Sequence, residues 1–467
     1  MQMRNWSNKR ICGGAAGAAV MIVFCTLPPF GGMETAGMRA LGATLCAIMF
    51  WALGVLPDWV TALGLLVLWM TAAGIPSATA FNGFTSESLW LILCAYAMAE
   101  AVQRTGLFAR ISWKVISMFR PSFRGLVMAV IVCGLIFAPL IPSATAKAVL
   151  GASIALSLAD AMGYEKHSAG RTGLFIASFT GFSVCTSAFM SGNVFTFTLY
   201  GILPEEVKAE MSWGNWLIAS LPWLVIMVTL SYAGIVFLFG RIAAGSQASA
   251  DPAGQNAPKG PITQKEIVAA AMLVLCVGLW IFEKRLGISA TATAMAAAVF
   301  CFAAGLLEPK DLRVTMPWGL FLFLGTVFNF GLVFEEYGIN DLIKTVLAPV
   351  FQGAGGPAGA ILAAALITVL LRFIIVSQTA SVVILMSVLL PLASASGVSP
   401  FILGFTILAT QQIWFASYQN VVFSPALACM KETVAHRETV AASLVYIISA
   451  VAACMISIPY WGMLGYL

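Results

Sequence analysis

Long apolar runs dominate the chain, and short polar or charged loops separate them. A helix needs about 20 apolar residues to cross the hydrocarbon of a bilayer. Two apolar regions, 124–162 and 357–395, are interrupted at their middles by polar residues, so neither reads as a single span. The remaining runs predict about eleven membrane-spanning helices, at residues 11–29, 36–56, 58–75, 87–109, 171–200, 214–240, 265–283, 288–307, 316–335, 400–430 and 437–462.

Composition agrees with an all-α, polytopic membrane protein. Of the 467 residues, 60% are hydrophobic and 9% are charged, whereas soluble domains carry about 25% charged residues. The net charge of +5 comes from basic residues scattered among loops, so it does not predict nucleic-acid binding. The ten cysteines lie in apolar stretches without CxxC spacing and read as small buried hydrophobes. The stretch after Met1–Arg10 is a cleaved signal peptide or a retained first span, and the lack of a small-x-small cleavage site favours the span.

The basic residues predict the orientation of the chain. With a cytoplasmic N-terminus, and with both interrupted regions returning to the side they start from, 17 of the 24 lysines and arginines face the cytoplasm and 5 face outward. This asymmetry follows the positive-inside rule. Reading either interrupted region as one crossing would invert every later loop and remove the asymmetry. The two regions are therefore predicted to be re-entrant helical hairpins that enter from opposite faces.

The two halves of the chain repeat each other. "QRTGL" at residue 103 matches "EEYGI" at 335, "SATA" at 143 matches "SQTA" at 377, and "SGN" at 191 matches "FSP" at 423, at offsets of 232 or 234. Each half has five spans and one hairpin, and an odd number of crossings inverts the second half, as in many transporters. The predicted units are a tail with the first span (1–35), a first repeat (36–240), a Gly- and Pro-rich cytoplasmic linker (241–264) and a second repeat (265–467).

The hairpin tips carry the strongest binding candidates. Irregular backbone at membrane depth is tolerated only where protein or water satisfies its polar groups. In "PLIPSATAKAV" two prolines break the helix, Ser143 and Thr145 supply hydroxyls, and the next helix directs its N-terminal N–H groups at the gap. "RFIIVSQTASVV" repeats the device with Ser377, Gln378 and Thr379. The hydroxyls could instead bond to a helix carbonyl, but their recurrence at matching positions favours a binding site.

Lys147 and Arg372 are basic residues that fit neither a loop nor an interface. A charge near the bilayer centre costs about 2.5 kcal/mol or more, so it is a functional candidate unless the side chain snorkels to the interface. The hairpins hold no deep acid that would pair with them, which favours an anionic substrate. Several acids near span ends read as solvated or helix-capping groups, with proton coupling left open: Glu100, Asp160, Glu335 and Glu336.

Two of the predicted spans are themselves interrupted. "CTSAFMSGN" breaks the span 171–200, and "QQIWFASYQNVVFSPA" breaks the span 400–430, where Pro425 is expected to end the helix. Unwound segments at these positions would offer carbonyl oxygens to a cation and N–H groups to a carboxylate. Gly192 could alternatively serve only close helix packing.

These residues resemble the divalent anion:sodium symporter family, whose members carry a Ser-Asn-Thr motif at each of two hairpin tips. The resemblance runs from about residue 36 onward. It implies a homodimer, with a fixed scaffold and a sliding transport domain that moves as an elevator. The substrate-binding residues it implies are Ser143, Ala144, Thr145, Lys147, Gly192, Asn193, Ser377, Gln378, Thr379 and Pro425. Sodium is the coupling ion it implies, near Ser143, Gly192, Ser377, Gln378 and Ser424.

The chain departs from the family motif in both halves. Ala144 and Gln378 replace the two asparagines, and alanine offers no side-chain group to a cation or a carboxylate. The run "SATAK" is similar to the Pro-Ser-x-Thr-Ala-basic pattern of citrate/succinate and plastid oxoglutarate/malate exchangers. An ammonium group at Lys147 would compete with sodium for the first cation site. The sequence therefore leans toward sodium-independent exchange, with sodium symport as the alternative.

The expected function is secondary transport of a small organic dianion such as succinate, malate or citrate across a bacterial inner membrane. The charge pattern also admits sulfate or a sulfonate. An intramembrane enzyme would need a motif such as HExxH or GxSxG, and ATP drive would need GxxxxGK[ST]; the sequence contains none of these. Two hairpins from opposite faces fit alternating access better than a channel pore. The expected partners are the anion, the bilayer and a second copy, and no cofactor other than sodium is expected.

Overall fold

A computed structural model of the chain describes residues 8–243, 260–352 and 355–467. Every regular element in these ranges is a helix, which confirms the all-α prediction. Most of the predicted linker 241–264 lies outside the described residues. The helices before the linker are α1 (Asn8–Thr26), α2 (Thr35–Leu53), α3 (Asp58–Thr71), α4 (Ser77–Ala80), α5 (Glu87–Thr105), α6 (Leu107–Ile116), α7 (Phe123–Phe137), α8 (Ala144–Ala161), α9 (Ala169–Phe182), α10 (Val194–Ile202), α11 (Glu205–Glu210) and α12 (Trp213–Ala243).

The helices after the linker follow a similar order, although several of them are shorter than their counterparts in the first half. They are α13 (Gln264–Ile281), α14 (Glu283–Leu286), α15 (Ala290–Ala303), α16 (Asp311–Val314), α17 (Trp318–Val327), α18 (Phe330–Glu336), α19 (Ile339–Gln352), α20 (Pro357–Leu371), α21 (Gln378–Leu389), α22 (Ala393–Ser396), α23 (Pro400–Thr410), α24 (Phe423–Cys429) and α25 (His436–Met463). The order α7, α8, α9, α10, α12 recurs as α20, α21, α23, α24, α25.

The predicted spans coincide with helices or with pairs of helices. Six helical stretches in the described residues are long and apolar enough to cross a membrane: Thr35–Leu53, Ala144–Ala161, Trp213–Arg241, Gln264–Ile281, Trp318–Glu336 and His436–Met463. One of them, Ala144–Ala161, is an arm of a predicted hairpin, so length alone does not separate a span from a re-entrant arm. The count of about eleven crossings stays a prediction.

Both interrupted regions fold as a helix, a break and a second helix. Residues 138–143 separate α7 from α8, and residues 372–377 separate α20 from α21. A serine caps the second helix in each case. Ser143 Oγ accepts the N–H three residues along at 3.3 Å, and Ser377 Oγ accepts the equivalent N–H at 3.2 Å. The two hairpin tips are therefore built in the same way.

Two predicted spans are broken, as expected, but one break lies elsewhere than predicted. Residues 183–193 separate α9 from α10, and residues 411–422 separate α23 from α24. Pro425 is exposed and lies in the first turn of α24, so the expectation that it ends the helix was wrong. A proline is tolerated there because the N–H groups of a first turn have no partner within the helix.

The two halves interlock around the hairpins. Helix α10 of the first half packs on α21 of the second hairpin, and α24 of the second half packs on α8 of the first hairpin. Within each half, α9 lies against α7 and α8, and α23 lies against α20 and α21. A second group of helices surrounds α3, which packs on α2 and α17, and α2 also contacts α21. Each hairpin is thus held by both halves of the chain.

Ion pairs connect loops that the sequence predicts on the cytoplasmic side. Arg104 donates to both carboxylate oxygens of Asp311, at 2.7 and 2.9 Å, and pairs with Glu100 at 2.8 Å. The Arg104 guanidinium holds the pKa of Asp311 below its usual range. Arg171 pairs with Asp160 at 2.7 Å. Glu100 and Asp160, two of the acids left open for proton coupling, therefore each pair with an arginine.

Candidate functional site

Lys147 connects the first hairpin to the first broken span. Its side chain is 0% exposed. Its Nζ donates to the carbonyl oxygen of Ala138 at 3.4 Å and to that of Gly192. Beside it, the Ser191 hydroxyl donates to the carbonyl oxygen of Pro139 at 2.9 Å. Carbonyl groups that two helix breaks leave free are therefore bound by an amine and a hydroxyl.

Gly192 is required at this point by the path of the backbone. A Cβ on Gly192 would overlap the carbonyl oxygen of Thr186. The close approach turns the Gly192 carbonyl toward Lys147. Gly192 therefore combines both interpretations through two different contacts, close packing against Thr186 and presentation of its carbonyl to Lys147.

Arg372 makes the corresponding connection in the second half. Its side chain is also 0% exposed. Within the hairpin break it donates to the carbonyl oxygens of Ile375 at 2.6 Å and Val376 at 3.4 Å. Across the gap it donates to the carbonyl oxygens of Gln411 at 3.2 Å and Gln419, both in the second broken span. We call the two sets of carbonyls bound by Lys147 and Arg372 the first and second carbonyl cradles.

The two buried cations have no acidic partner. Among the ion pairs of the described residues, none includes Lys147 or Arg372. Both side chains lie inside the protein, so the snorkelling interpretation does not fit either of them. Carbonyl dipoles compensate a buried charge only in part. The site therefore offers two basic groups without an ion-pair partner to an anion.

A buried asparagine lies near the end of each break: Asn193 is the N-cap of α10, and Asn420 lies three residues before the first residue of α24. Asn193 Oδ1 accepts the N–H groups two and three residues along at 2.8 and 3.0 Å, and its Nδ2 donates to Thr186 Oγ1 at 2.9 Å. Asn420 Oδ1 accepts the two equivalent N–H groups, both at 3.0 Å, and its Nδ2 donates to the carbonyl oxygen of Gln412 at 3.2 Å. Both asparagines thus bind two backbone N–H groups at or just before the start of the short helix.

Asn420, and not Pro425, is therefore the structural equivalent of Asn193. The alignment of "SGN" with "FSP" was wrong by five residues, because the second half is shorter between its hairpin and its cap. The sequence carried a signal that was missed. Both asparagines are followed by valine, at an offset of 227 instead of 232. The binding role expected of Pro425 stays a prediction.

The first tip offers backbone and hydroxyl donors. Thr145 is exposed, Ser143 is half-buried and Ala144 is buried. The N–H groups of Ala144 and Thr145 have no hydrogen-bond partner within the described part of the chain. The start of α8 can therefore bind an oxyanion through its backbone without the missing asparagine side chain.

The second tip adds a buried amide. Ser377 and Thr379 are half-buried, and Gln378 is 1% exposed. Neither amide atom of Gln378 has a hydrogen-bond partner among the described residues. Buried side-chain amides are normally hydrogen-bonded, so Gln378 is a group that can serve a ligand.

An acid that the sequence analysis missed lies at the second tip. The Ser377 hydroxyl donates to Asp58 Oδ2 at 2.8 Å. Asp58 is the first residue of α3, 319 positions before Ser377. Its local sequence gave no sign of this contact, which only the packing of α2 and α3 against the second hairpin creates.

The structure brings together some of the predicted site residues and leaves others apart. Lys147 meets Gly192, and Gly192 is followed by the capping Asn193. No hydrogen bond joins residues 143–147 to residues 377–379 in the described ranges. That the two tips hold one anion between them stays a prediction.

A cavity of about 430 Å³ opens beside the second broken span. Ser417, Ser424, Glu432 and His436 are among the residues that line it. Small-molecule sites typically have volumes of about 300–1,000 Å³. The first broken span is buried almost throughout, so the two breaks differ in their access to solvent.

The groups expected to hold sodium fit that ion poorly. Lys147 occupies the Gly192 carbonyl, and Arg372 occupies the free carbonyls of the second broken span. A sodium ion about 4 Å from either cation would be repelled by about 4 kcal/mol at an effective dielectric constant of about 20. Ser424 donates its hydroxyl to the carbonyl oxygen of Ser417 at 2.9 Å, beside the cavity. This leaves Gln378 as the one proposed side-chain ligand with an unpartnered oxygen among the described residues.

Known proteins resemble this chain over most of its length at low identity. Dicarboxylate transporter 1, chloroplastic, of Arabidopsis thaliana is 23% identical over 359 residues, which are 75% of this chain and 64% of that protein. The L-tartrate/succinate antiporter of Escherichia coli strain UTI89 is 23% identical over 316 residues, which are 64% of this chain and 63% of the antiporter. The chain therefore spans less than two thirds of the length of either relative.

The fold also matches a solved transporter structure. The crystal structure of the Alcanivorax borkumensis YdaH transporter aligns with a TM-score of 0.59 and 16% identity, covering 86% of this chain and 90% of that one. At this identity the match concerns the fold alone, and it supports an integral, multi-pass membrane protein. The names of all three proteins are those of transporters, in agreement with the expectation that the chain is not an enzyme.

A family model described as "Sodium:sulfate symporter transmembrane region" matches residues 8–467. The match begins before the region on which the resemblance to divalent anion:sodium symporters was based and runs to the last residue. The chain belongs to the sodium:sulfate symporter family.

Proposed function

We propose that this protein is a secondary active transporter of small organic dianions, such as succinate, malate or citrate, that works by sodium-independent exchange. The observation that carries the proposal is the pair of carbonyl cradles. In each half a buried cationic side chain, Lys147 or Arg372, binds the backbone oxygens that a coupling sodium ion would need. The names of the chloroplastic dicarboxylate transporter and the tartrate/succinate antiporter support the same class of substrate.

Charge balance explains why such a carrier would exchange anions. Without substrate, two buried cations lack an acidic partner, and moving them through the bilayer interior is costly, at about 2.5 kcal/mol or more for each. A bound dianion cancels both charges. In a sodium symporter, sodium ions that enter with the substrate provide the positive charge that balances it. In this protein Lys147 and Arg372 would provide that charge and remain in the carrier after the substrate has left. Only the loaded carrier is then free to cross, which couples export of one anion to import of another.

The proposed binding groups are the donors of the two tips. The first-turn N–H groups of α8, together with Ser143 and Thr145, would bind one carboxylate. Ser377, Gln378 and Thr379 would bind the other. Lys147 and Arg372 lie behind the tips and would act through charge, since the carbonyl cradles hold their donor groups.

The proposed architecture follows from the repeated order of helices. We assign about eleven crossings and two re-entrant hairpins, in two inverted repeats at 36–240 and 265–467. The N-terminus would be cytoplasmic and the membrane a bacterial inner membrane. Contacts among loops predicted on one side support this orientation, as in the Arg104–Asp311 pair. A homodimer that moves as an elevator remains the expectation from the family resemblance.

The alternative is a sodium-coupled transporter of di- or tricarboxylates, sulfate or sulfonates. The description of the matching family favours it, since it names sodium and sulfate. The unpartnered amide oxygens of Gln378 and of Gln411, in the second broken span, also favour a cation.

The deciding experiment measures uptake of labelled succinate by the purified protein in liposomes. The lumen is empty or contains succinate, malate, citrate, 2-oxoglutarate or sulfate, and the outside contains sodium or potassium. Exchange predicts uptake that requires an internal anion and is indifferent to sodium. Uptake into empty vesicles that requires a sodium gradient would establish the alternative instead.

The same assay tests the tips. Ser143→Ala and Thr379→Ala each remove a hydroxyl that would bind a carboxylate, and hydrogen bonds to charged groups contribute about 1.5–3 kcal/mol. We expect the half-saturation concentration to rise about tenfold or more. Thr229→Ala is the matched control, because that exposed hydroxyl bonds only to a carbonyl of its own helix. Normal transport by either tip variant would remove that residue from the site.

A further inference from the structure

The second hairpin tip is bonded to a turn that belongs to neither hairpin. The Ser377 hydroxyl donates to Asp58 Oδ2 at 2.8 Å, and the neighbouring N–H of Val376 donates to the carbonyl oxygen of Ala52 at 3.3 Å. Ala52 lies in the last turn of α2, and Asp58 begins α3. Two adjacent residues of the tip are therefore tied to the turn between α2 and α3.

This turn is firmly anchored on its own side. The Trp51 indole N–H donates to the backbone oxygen of Asp58 at 3.1 Å. Trp51 is 0% exposed, and its ring lies edge-on to Phe323 of α17 with ring centroids 5.3 Å apart. The Asp58 carboxylate is thus presented to the tip by a well-packed support.

We propose that Asp58 is a tethered carboxylate that binds Ser377 in place of a substrate carboxylate and holds the second tip while the carrier is empty. A serine hydroxyl has a single hydrogen to donate. Ser377 can therefore serve Asp58 or a bound anion, but not both at once. Arrival of a substrate carboxylate releases Asp58. Of the two hydrogen bonds between the tip and the α2–α3 turn, the one from Val376 is then left without the other, and the tip can separate from the turn.

This inference rests on the proposed function and explains a further part of it. Asp58 supplies a carboxylate acceptor to Ser377 in the absence of substrate, which stabilises the empty carrier in one position. Asp58 belongs to the α2–α3 turn and forms no ion pair with Lys147 or Arg372 among the described residues, so it does not neutralise these two groups when the tip moves away. Substrate binding breaks the contact between Asp58 and Ser377, so release of the tip is coupled to loading. An exchanger needs such coupling, since movement of the empty carrier would convert exchange into net flux.

The test compares Asp58→Ala with Asp341→Ala in liposomes that contain either succinate or no anion. Asp341 is also an acid in the first turn of a helix, but its partner is the exposed Lys344 at 3.6 Å. Loss of a hydrogen bond to a carboxylate changes the ratio of empty carriers with a bound tip to those with a released tip by about tenfold or more. We therefore expect Asp58→Ala to raise uptake into empty liposomes about tenfold, while Asp341→Ala keeps the wild-type ratio of loaded to empty uptake. An unchanged ratio in folded Asp58→Ala protein would overturn the proposal.

A second measurement does not depend on the mode of transport or on folding of the alanine variant. Cysteines replace Ala52 and Val376, and a short cross-linker with two thiol-reactive groups is added. The rate at which it links the two cysteines is followed by peptide mass spectrometry. Succinate is expected to slow this cross-link several-fold relative to chloride. A rate that succinate does not change would overturn the proposal. If wild-type protein instead shows sodium-driven net uptake, the exchange function fails, while a succinate-sensitive cross-link would still establish release of the tip.

Discussion

Removal of the Lys147 amine gives the sharpest prediction about ion dependence. Lys147→Met keeps the length and the apolar stem of the side chain but takes the positive charge out of the first carbonyl cradle. A carboxylate about 5 Å from the ammonium group would gain about 3 kcal/mol at an effective dielectric constant of about 20. Since 1.4 kcal/mol corresponds to a tenfold change, the half-saturation concentration for succinate is expected to rise about a hundredfold.

The substitution also frees the carbonyl oxygens of Ala138 and Gly192, which Lys147 now binds. Free carbonyls in this position suit a small hard cation, so added sodium is expected to restore part of the lost affinity. The assay is succinate counterflow in liposomes at several sodium concentrations, with the amount of folded protein checked by size-exclusion chromatography. Lys114→Met, on the exposed face of α6, is the matched control.

A half-saturation concentration within threefold of wild type, together with no response to sodium, would refute the reasoning. Lys147 would then serve only to satisfy the backbone of two helix breaks, and the charge balance proposed for exchange would lose one of its two cations. If less Lys147→Met protein folds but the folded fraction binds succinate with normal affinity, Lys147 would also have only this structural role.

Two further predictions concern stability and use the apparent melting temperature in detergent. Asn193→Ala removes three buried hydrogen bonds and should destabilise the protein by about 2 kcal/mol or more. Ser122→Ala removes an exposed cap and should destabilise it by about 1 kcal/mol or less. Equal effects of the two substitutions would contradict the assignment of Asn193 as a buried cap. Arg104 lowers the pKa of Asp311 in the folded protein, so the ion pair stabilises the protein against unfolding. This stabilisation is fully present above the ordinary carboxyl pKa of about 3.9 and is lost as the pH falls through the lowered pKa of Asp311. The melting-temperature gap between wild type and Asp311→Asn should therefore be constant from pH 8 to about pH 5 and shrink below about pH 4. A gap at pH 3 as large as that at pH 7 would contradict this prediction.

Hydrophobic pattern and turn chemistry were enough to predict the helices and both tips. Apolar runs bounded by charges located the spans because a membrane segment must be long, apolar and internally hydrogen-bonded. The motifs "SATA" and "SQTA" located the two breaks because a serine cap and an interrupting polar run are local features. Ser143 and Ser377 cap α8 and α21 in the same way, as their matching positions indicated.

Contacts between distant parts of the chain could not be predicted in the same way. The Asp58–Ser377 bond depends on how α2 and α3 pack on the second hairpin, and no periodicity encodes that packing. The carbonyl cradles were foreseen in part, since charge at depth singled out Lys147 and Arg372. Which backbone oxygens they bind depends on two helix breaks meeting in space. Asn420 was missed, and Pro425 was matched to Asn193, because one repeat offset was carried through a segment where the halves differ in length.

The crossed packing of the short helices has a consequence for how the two hairpin tips depend on each other. Because α10 rests on the second hairpin and α24 on the first, each half supplies the surface on which the other half's tip is built. A displacement of one tip is transmitted to the other through these shared helices, so the two breaks belong to one mechanical unit. A substitution in either half that shifts its short helix is therefore expected to alter the neighbouring tip of the opposite half.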